Sequence, residues 1–482
     1  MSESNLSPIP RASHTKIVAT LGPATDGGEM IKELMLAGAD VFRINTAHGD
    51  RSEHQGRLEA VRRVSAELGQ PAAVLVDLAG PKIRLQELPG GELECSVDDT
   101  LRFVRGPQGG PGELATTYEP LVDEVEPGDR VMLADGTVSL VVEEKTGDWA
   151  RCRVVQPGTI RSRQGVNLPG VKLSAPALGE ADRRNARWAA TSGVDFVGLS
   201  FVRTAGDVRQ LGDLLAAHGG HTQVVAKIEK PEALDELAEI VEAADAVMVA
   251  RGDLGVEIDI AEVAVVQKRI IRECNRRRKP VIIATQMLDS MQRSRIPTRA
   301  EVTDVANAVL DGADACMLSG ETAIGRYPRQ AVEMMHRIAL ATEPLCRTRR
   351  PTEPLDLSAD QLSPITEAIV ESAGVLAENV DAKTVIVATA SGKTALSLAK
   401  KRHFVPVVGV SDSEATLRRM CLYWGVIPLA GAPTTDSRQL LEYVVEQGRA
   451  RGVLAGGDRV VLLSGTGLAT TAHNMILVHE LE

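Results

Sequence analysis

Short apolar runs alternate with helix-period stretches along the first two thirds of the chain. The runs fall at residues 16–21, 41–45, 73–77, 194–201, 224–229, 246–253, 281–286 and 315–321, and each ends in polar or charged residues. Helical patterns separate most of them, so the pattern predicts strand–helix units. Eight such units close into an α/β architecture, a (β/α)8 barrel, and such a barrel places its chemistry where the strands end. The ends carry Arg43, Asn45, Asp77, Lys227, Glu229, Asp253, Thr285, Ser319 and Glu321. That set can hold a divalent metal and an anion together.

The rhythm breaks once. From residue 78 to residue 177 Gly and Pro punctuate short alternating runs, as in Pro89-Gly90-Gly91, Glu126-Pro127-Gly128-Asp129 and Ala134-Asp135-Gly136-Thr137. Tight turns between short strands predict a small all-β module, a β-barrel lid inserted after the third barrel strand. A module rising from the rim where the strands end is placed to cover the site. Residues 328–342 read as the closing helix of the barrel, residues 347–364 as a Pro- and charge-rich linker, and residues 365–482 as a separate small α/β domain. The expected division is therefore a discontinuous barrel (1–77 and 178–346), a lid (78–177) and a C-terminal domain (360–482).

Composition narrows the function. Aromatic residues make up 2% of the 482 and the formal net charge is −11. Few stacking rings and no basic footprint argue against nucleic acid as a partner. The local run Arg276-Arg277-Arg278-Lys279 reads as a solvated helix end. The six cysteines include no CxxC pair, which points to buried thiols in a reducing compartment. Residues 1–13 are polar, without the apolar core of a signal peptide, and no run is long enough to span a membrane. The expectation is a cytoplasmic protein with no membrane partner.

Five strand ends carry most of the chemistry. In Lys227-Ile228-Glu229 the two charged residues share a strand face. They could form a core ion pair, or supply one cation and one metal ligand. In Arg251-Gly252-Asp253-Leu254-Gly255 the glycine lets a ligand approach the backbone, the following amides suit a carboxylate, and Asp253 is free for metal. Glu229 and Asp253 with substrate oxygens and water suit Mg2+. Thr285 and Ser319 bring hydroxyls, with Glu321, to the same mouth, where a proton relay or substrate contact is one reading and a helix cap the other. Arg43 offers a bidentate fork for phosphate and shares a face with Asn45, while His48 alone reads as a loop histidine.

These motifs together resemble the pyruvate kinase family. The likeness is carried by Thr20-Leu21-Gly22-Pro23-Ala24, Asp77 with Gly80-Pro81-Lys82-Ile83-Arg84, Gly165-Val166-Asn167-Leu168-Pro169-Gly170, Lys227-Ile228-Glu229, the 250–255 turn, Pro297-Thr298-Arg299-Ala300-Glu301 and the long stretch 283–323. The resemblance implies a TIM (β/α)8 barrel with a lid and a regulatory domain. It implies phosphoryl transfer from phosphoenolpyruvate to ADP, giving pyruvate and ATP. Glu229 and Asp253 would bind Mg2+, with Mn2+ as an alternative. Lys227 would stabilise the transferring phosphoryl group and the enolate. Gly252, Asp253 and Thr285 would hold the substrate carboxylate, and Arg43 its phosphate. Asn45, His48 and Arg84 would reach the nucleotide. Ser319 and Glu321 would help protonate the enolate. A homotetramer is also implied. Two other readings stay open at this level: another phosphoenolpyruvate- or pyruvate-binding barrel such as a metal-dependent aldolase, and a catalytically weak metabolite-binding regulator.

The chain departs from that family in places. Members that need K+ usually carry serine where Ala47 stands, threonine where Leu78 stands and glutamate where Lys82 stands. Asn45, Asp77, Leu78 and Lys82 therefore read as the remnant of a potassium site, with the Lys82 ammonium in place of the ion and no K+ requirement. Gln164 stands where many relatives have a lid lysine, with Arg161 or Arg163 as substitutes. In the last domain Thr389-Ala390-Ser391-Gly392-Lys393-Thr394 follows a strand and resembles the end of a Walker A loop, but Val387 occupies the first glycine position. Hydroxyls and amides at a helix start suit a phosphate. In the family this loop binds a phosphorylated effector, so Thr389, Ser391, Gly392, Lys393 and Thr394 are the expected effector contacts.

Overall fold

The computed structural model describes residues 13–347, 362–465 and 473–482. Most of the expected linker and the polar N-terminal segment lie outside these residues. Eight parallel strands close into a barrel in sequential order: β1 (Lys16–Thr20), β2 (Val41–Asn45), β3 (Ala73–Asp77), β4 (Phe196–Leu199), β5 (Gln223–Ile228), β6 (Ala246–Ala250), β7 (Val281–Ala284) and β8 (Ala315–Leu318). Strands β2 and β3 match their apolar runs, whereas β1, β4, β6, β7 and β8 are shorter than theirs. After β6 the chain turns at once into a helix, Arg251–Glu257, so Asp253 sits in a first helical turn instead of on a strand. After β8 a short helix, Gly320–Ala323, begins just beyond Ser319.

Alternation along each strand builds two layers. Val74 and Val76 of β3 join the cluster between strands and outer helices, whereas Ala73 and Leu75 point into the barrel beside Phe196, Val225, Met248 and Ile282. Two residues further along the same inward rows, the apolar layer gives way to Arg43, Asp77 and Lys227. Gly198 occupies that layer on β4, and a Cβ there would stand 3.1 Å from Asp77 Oδ1. The missing side chain makes room for a buried carboxylate.

The lid is a six-stranded, mostly antiparallel curled sheet with its own apolar core, plus a two-stranded ladder pairing Glu92–Cys95 with Gly158–Arg161. Its arms are tied to β4 and to the turn that follows it. Leu78 N donates to Gly198 O at 2.9 Å on the entering arm. On the returning arm the Arg203 guanidinium donates to Leu173 O at 2.6 Å and Ala175 O at 2.8 Å.

The barrel closes with the helix Pro328–Cys346. The C-terminal domain holds β9 (Thr384–Ala388), β10 (Val407–Val410), β11 (Val426–Leu429), β12 (Arg459–Ser464) and β13 (Met475–Glu480), in the order β11-β10-β9-β12-β13. All but the last strand are parallel. The order reverses between β9 and β12, the place where open α/β sheets bind ligands. Among the described residues no helix is long and apolar enough to cross a membrane.

One expectation needs correcting. The run 276–279 is not a free solvated end: Arg276 and Arg277 pair with Glu273, and Arg277 also reaches Glu242. Arg278 crosses to Glu367 of the C-terminal domain with both side chains largely buried. A neighbour on the same helix, Glu273, and the distant Glu242 and Glu367 hold these guanidinium groups.

Candidate functional site

Four charged side chains meet at the barrel mouth. Lys227 Nζ lies 2.8 Å from Glu229 Oε1 and 3.2 Å from Asp77 Oδ1, and donates to Ser200 Oγ at 2.6 Å. Asp77 Oδ2 takes Arg43 through both Nε (2.8 Å) and the terminal nitrogen (2.7 Å), while Arg43 also donates to Thr20 Oγ1. Glu229 Oε2 accepts the backbone N–H of Phe201 at 2.7 Å.

The charges set one another's protonation. Burial works to raise the Asp77 carboxyl, but Lys227 and Arg43 outweigh it and hold it below its usual range. Burial opposes the Lys227 ammonium, yet Asp77 and Glu229 overcome this and raise it. For Glu229 burial dominates and pushes the carboxyl up; Lys227 pulls it down and Asp253 pushes it up again. Two carboxylates close enough to repel, one of them 1% exposed, form a place where a divalent cation would relieve the charge. No group of three or more His, Cys, Asp or Glu side chains able to hold a metal occurs among the described residues. Any metal here would therefore complete its shell with substrate and water oxygens.

Beside this cluster two turns lean on each other. Gly252 N donates to Thr285 Oγ1 at 2.7 Å. Thr285 and Gln286 both adopt positive φ, 70° and 56°, a costly conformation outside glycine. Arg251 holds that turn by donating to Thr285 O at 2.9 Å and pairing with Asp304 at 2.7 Å. Asp253 faces the lid, where Lys82 Nζ approaches its Oδ1 to 3.4 Å. Asn45 Oδ1 accepts Ala47 N, His48 is exposed, and Arg84 donates to Arg163 O on the lid. Gln164 Oε1 accepts Arg161 N within the lid, and Arg161 and Arg163 pair with Glu92 and Glu87. Glu321 is turned inward: its oxygens accept Leu288 N and Ser319 N, and burial raises its pKa. Ser319 Oγ is buried and has no hydrogen-bond partner among the described residues.

A family model described as "Pyruvate kinase, barrel domain" matches residues 12–332, and one described as "Pyruvate kinase, alpha/beta domain" matches residues 367–479. The chain belongs to the pyruvate kinase family. It is 41% identical to the pyruvate kinase of Geobacillus stearothermophilus over 471 residues, 96% of this chain and 80% of that relative. It is 38% identical to the pyruvate kinase of Staphylococcus aureus strain USA300 over 475 residues, again 96% and 80%. A pyruvate kinase is a phosphotransferase, and the aldolase reading falls away.

Sequence reasoning paired Lys227 with Glu229 on one strand face and Glu229 with Asp253 as metal ligands; the structure adds that Asp77, read there as part of a potassium-site remnant, stands between Arg43 and Lys227. Sequence reasoning passed over Ser200, Phe201 and Arg251, whose roles are contacts to other strands. The only visible signal for Ser200 was a hydroxyl at the end of the fourth apolar run. In the C-terminal domain the 389–394 loop leads into the helix Lys393–Lys400. Thr389 Oγ1 accepts Gly392 N, Thr394 Oγ1 lies 3.4 Å from His473 Nδ1, and Ser391 and Lys393 face outward.

Proposed function

We propose that this pyruvate kinase transfers the phosphoryl group of phosphoenolpyruvate to ADP in a Mg2+-dependent reaction without a K+ requirement, under control of a phosphorylated metabolite. The observation that carries the reading is the buried Arg43–Asp77–Lys227–Glu229 cluster beside the Gly252–Thr285 turn. Phosphoryl transfer depends on positioning and charge neutralisation more than on covalent chemistry. Arg43, steadied by Asp77, presents a guanidinium for the substrate phosphate. Gly252 and Asp253 amides with the Thr285 hydroxyl hold the carboxylate, and Lys227 neutralises charge on the phosphoryl and enolate oxygens. Glu229 and Asp253 would hold the Mg2+, which supplies further charge neutralisation. Asn45, His48 and Arg84 line the nucleotide side, and Ser319 and Glu321 lie where the enolate takes its proton. Once ATP has formed, protonation makes the step favourable.

Lys82, close to Asp253, replaces the charge that K+ provides in relatives. Thr389, Ser391, Gly392, Lys393 and Thr394 line the switch point of the C-terminal sheet and suit an effector phosphate. A homotetramer and a cytoplasmic location belong to the same reading. A coupled assay with phosphoenolpyruvate, ADP and Mg2+, run in K+ and in tetramethylammonium at equal ionic strength, tests it. Equal turnover in both salts is expected. No turnover would refute the reaction, and a collapse without K+ would refute the role of Lys82.

A further inference from the structure

The end of β4 holds more of the site than any single strand end assigned a role above. Ser200, 2% exposed, donates its hydroxyl hydrogen to Leu78 O at 2.7 Å and accepts Lys227 Nζ at 2.6 Å. The chain of contacts runs from the catalytic ammonium, through one hydroxyl, to the first carbonyl of the lid's entering arm. The next residue, Phe201, has φ 55° and gives its N–H to Glu229 Oε2. Two residues later Arg203 clasps the returning arm. Gly80 of the entering arm packs against the same turn: at φ +67°, a Cβ there would lie 2.7 Å from the Phe201 ring and 2.8 Å from Ser200 Cβ.

We infer that Ser200 is a positioning residue for Lys227 and that the Ser200–Phe201 turn couples the lid hinge to the Lys227–Glu229 pair. Lys227 has three N–H bonds and three neighbours in Asp77, Glu229 and Ser200. A substrate oxygen must take the place of one of them. Glu229 is the neighbour that turns to other work when a cation binds, so Ser200 and Asp77 are left to aim the ammonium. Because the Ser200 hydroxyl reaches only as far as Leu78 O allows, the hinge position sets where the ammonium points. This inference rests on the proposed role of Lys227.

The test compares wild type, Ser200→Ala and Gly80→Ala as full-length chains. Steady-state kinetics are read beside amide hydrogen exchange of residues 78–84, measured without ligands. S200A is expected to lower kcat about tenfold, equivalent to about 1.4 kcal/mol, with KM for phosphoenolpyruvate within about twofold. Exchange in the hinge should quicken at an unchanged thermal midpoint. Gly80→Ala should displace the turn and lower kcat in the same sense. A kcat for S200A within about twofold of wild type, or unchanged hinge exchange in S200A, overturns the inference. An inactive wild type fails the proposed reaction instead, and the two failures are therefore distinct.

Discussion

At the residue scale, one substitution changes the electrostatics of the site. Lys82 comes from the lid and meets Asp253 from the barrel across 3.4 Å, both side chains about one-third exposed. An ammonium at that place puts a fixed positive charge beside the proposed Mg2+ ligand Asp253. Lys82→Glu reverses the charge and sets two carboxylates against each other. Such a pair a few ångströms apart costs on the order of 1 kcal/mol or more at partly exposed sites. K82E is expected to lose about tenfold or more in turnover without K+ and to regain part of it when K+ is added. Recovery should be incomplete, because Ala47 lacks the hydroxyl and Leu78 is an apolar side chain 1% exposed. Adding Ala47→Ser should raise it. The measurement is a K+ titration of kcat at fixed ionic strength, and a K82E enzyme indifferent to K+ would contradict the idea.

At the scale of elements, the turns after β6 and β7 act as one unit. Thr285 sits at positive φ because Arg251 holds its carbonyl and Gly252 holds its hydroxyl. Gly252→Ala would put a Cβ 3.3 Å from Thr285 Oγ1, so the hydroxyl must give way by a few tenths of an ångström. A carboxylate bound by that pair would lose alignment with charge-assisted hydrogen bonds worth roughly 1.5–3 kcal/mol each. KM for phosphoenolpyruvate should rise about tenfold or more, while the thermal midpoint moves by only about 2–4 °C. A large fall in stability with unchanged KM would assign the turn to structure alone. The same elements show why some of the site could be read from the chain. Strand periodicity put Lys227 and Glu229 on one face, and the end of each apolar run marked Arg43, Asp77 and Thr285. Likewise, the Gly- and Pro-rich turns of the 78–177 segment announced a separate module. The contacts that hold those residues are cross-strand, however: Ser200 to Lys227, Gly198 yielding space to Asp77, Arg251 reaching Thr285. No local period encodes a partner on another strand, so these contacts are set only by the tertiary fold. Helix starts hidden within apolar runs account for the shifted position of Asp253.

At the scale of the molecule, the C-terminal domain is fastened to the barrel through Asp314, the residue before β8. Its carboxylate is fully buried and accepts Val281 N at 2.8 Å, Lys400 Nζ at 2.5 Å and the Arg402 guanidinium at 3.1 Å. Lys400 ends the helix that starts at the 389–394 loop, and β8 leads to Ser319 and Glu321. One buried ion cluster therefore stands between the proposed effector loop and the strand that leads to two site residues. Burial depresses the Lys400 pKa to about 8, and Asp314 works against that fall. The sign follows: between about pH 8 and the ordinary lysine value near 10.4 the unfolded chain binds the extra proton, so this group makes stability rise with pH across that window. Asp314→Ala leaves an ammonium and a guanidinium buried without their anion, which should cost about 3–5 kcal/mol in a urea titration. Removing the orphaned ammonium as well should return part of that loss, so D314A/K400M is expected to be more stable than D314A. If the pair couples the domains, Lys400→Met should also weaken the response to a phosphorylated effector while leaving turnover at saturating substrate close to wild type. A double variant no more stable than D314A would mean the cluster is not held by charge, and the fastening would then lie in the apolar packing between the domains.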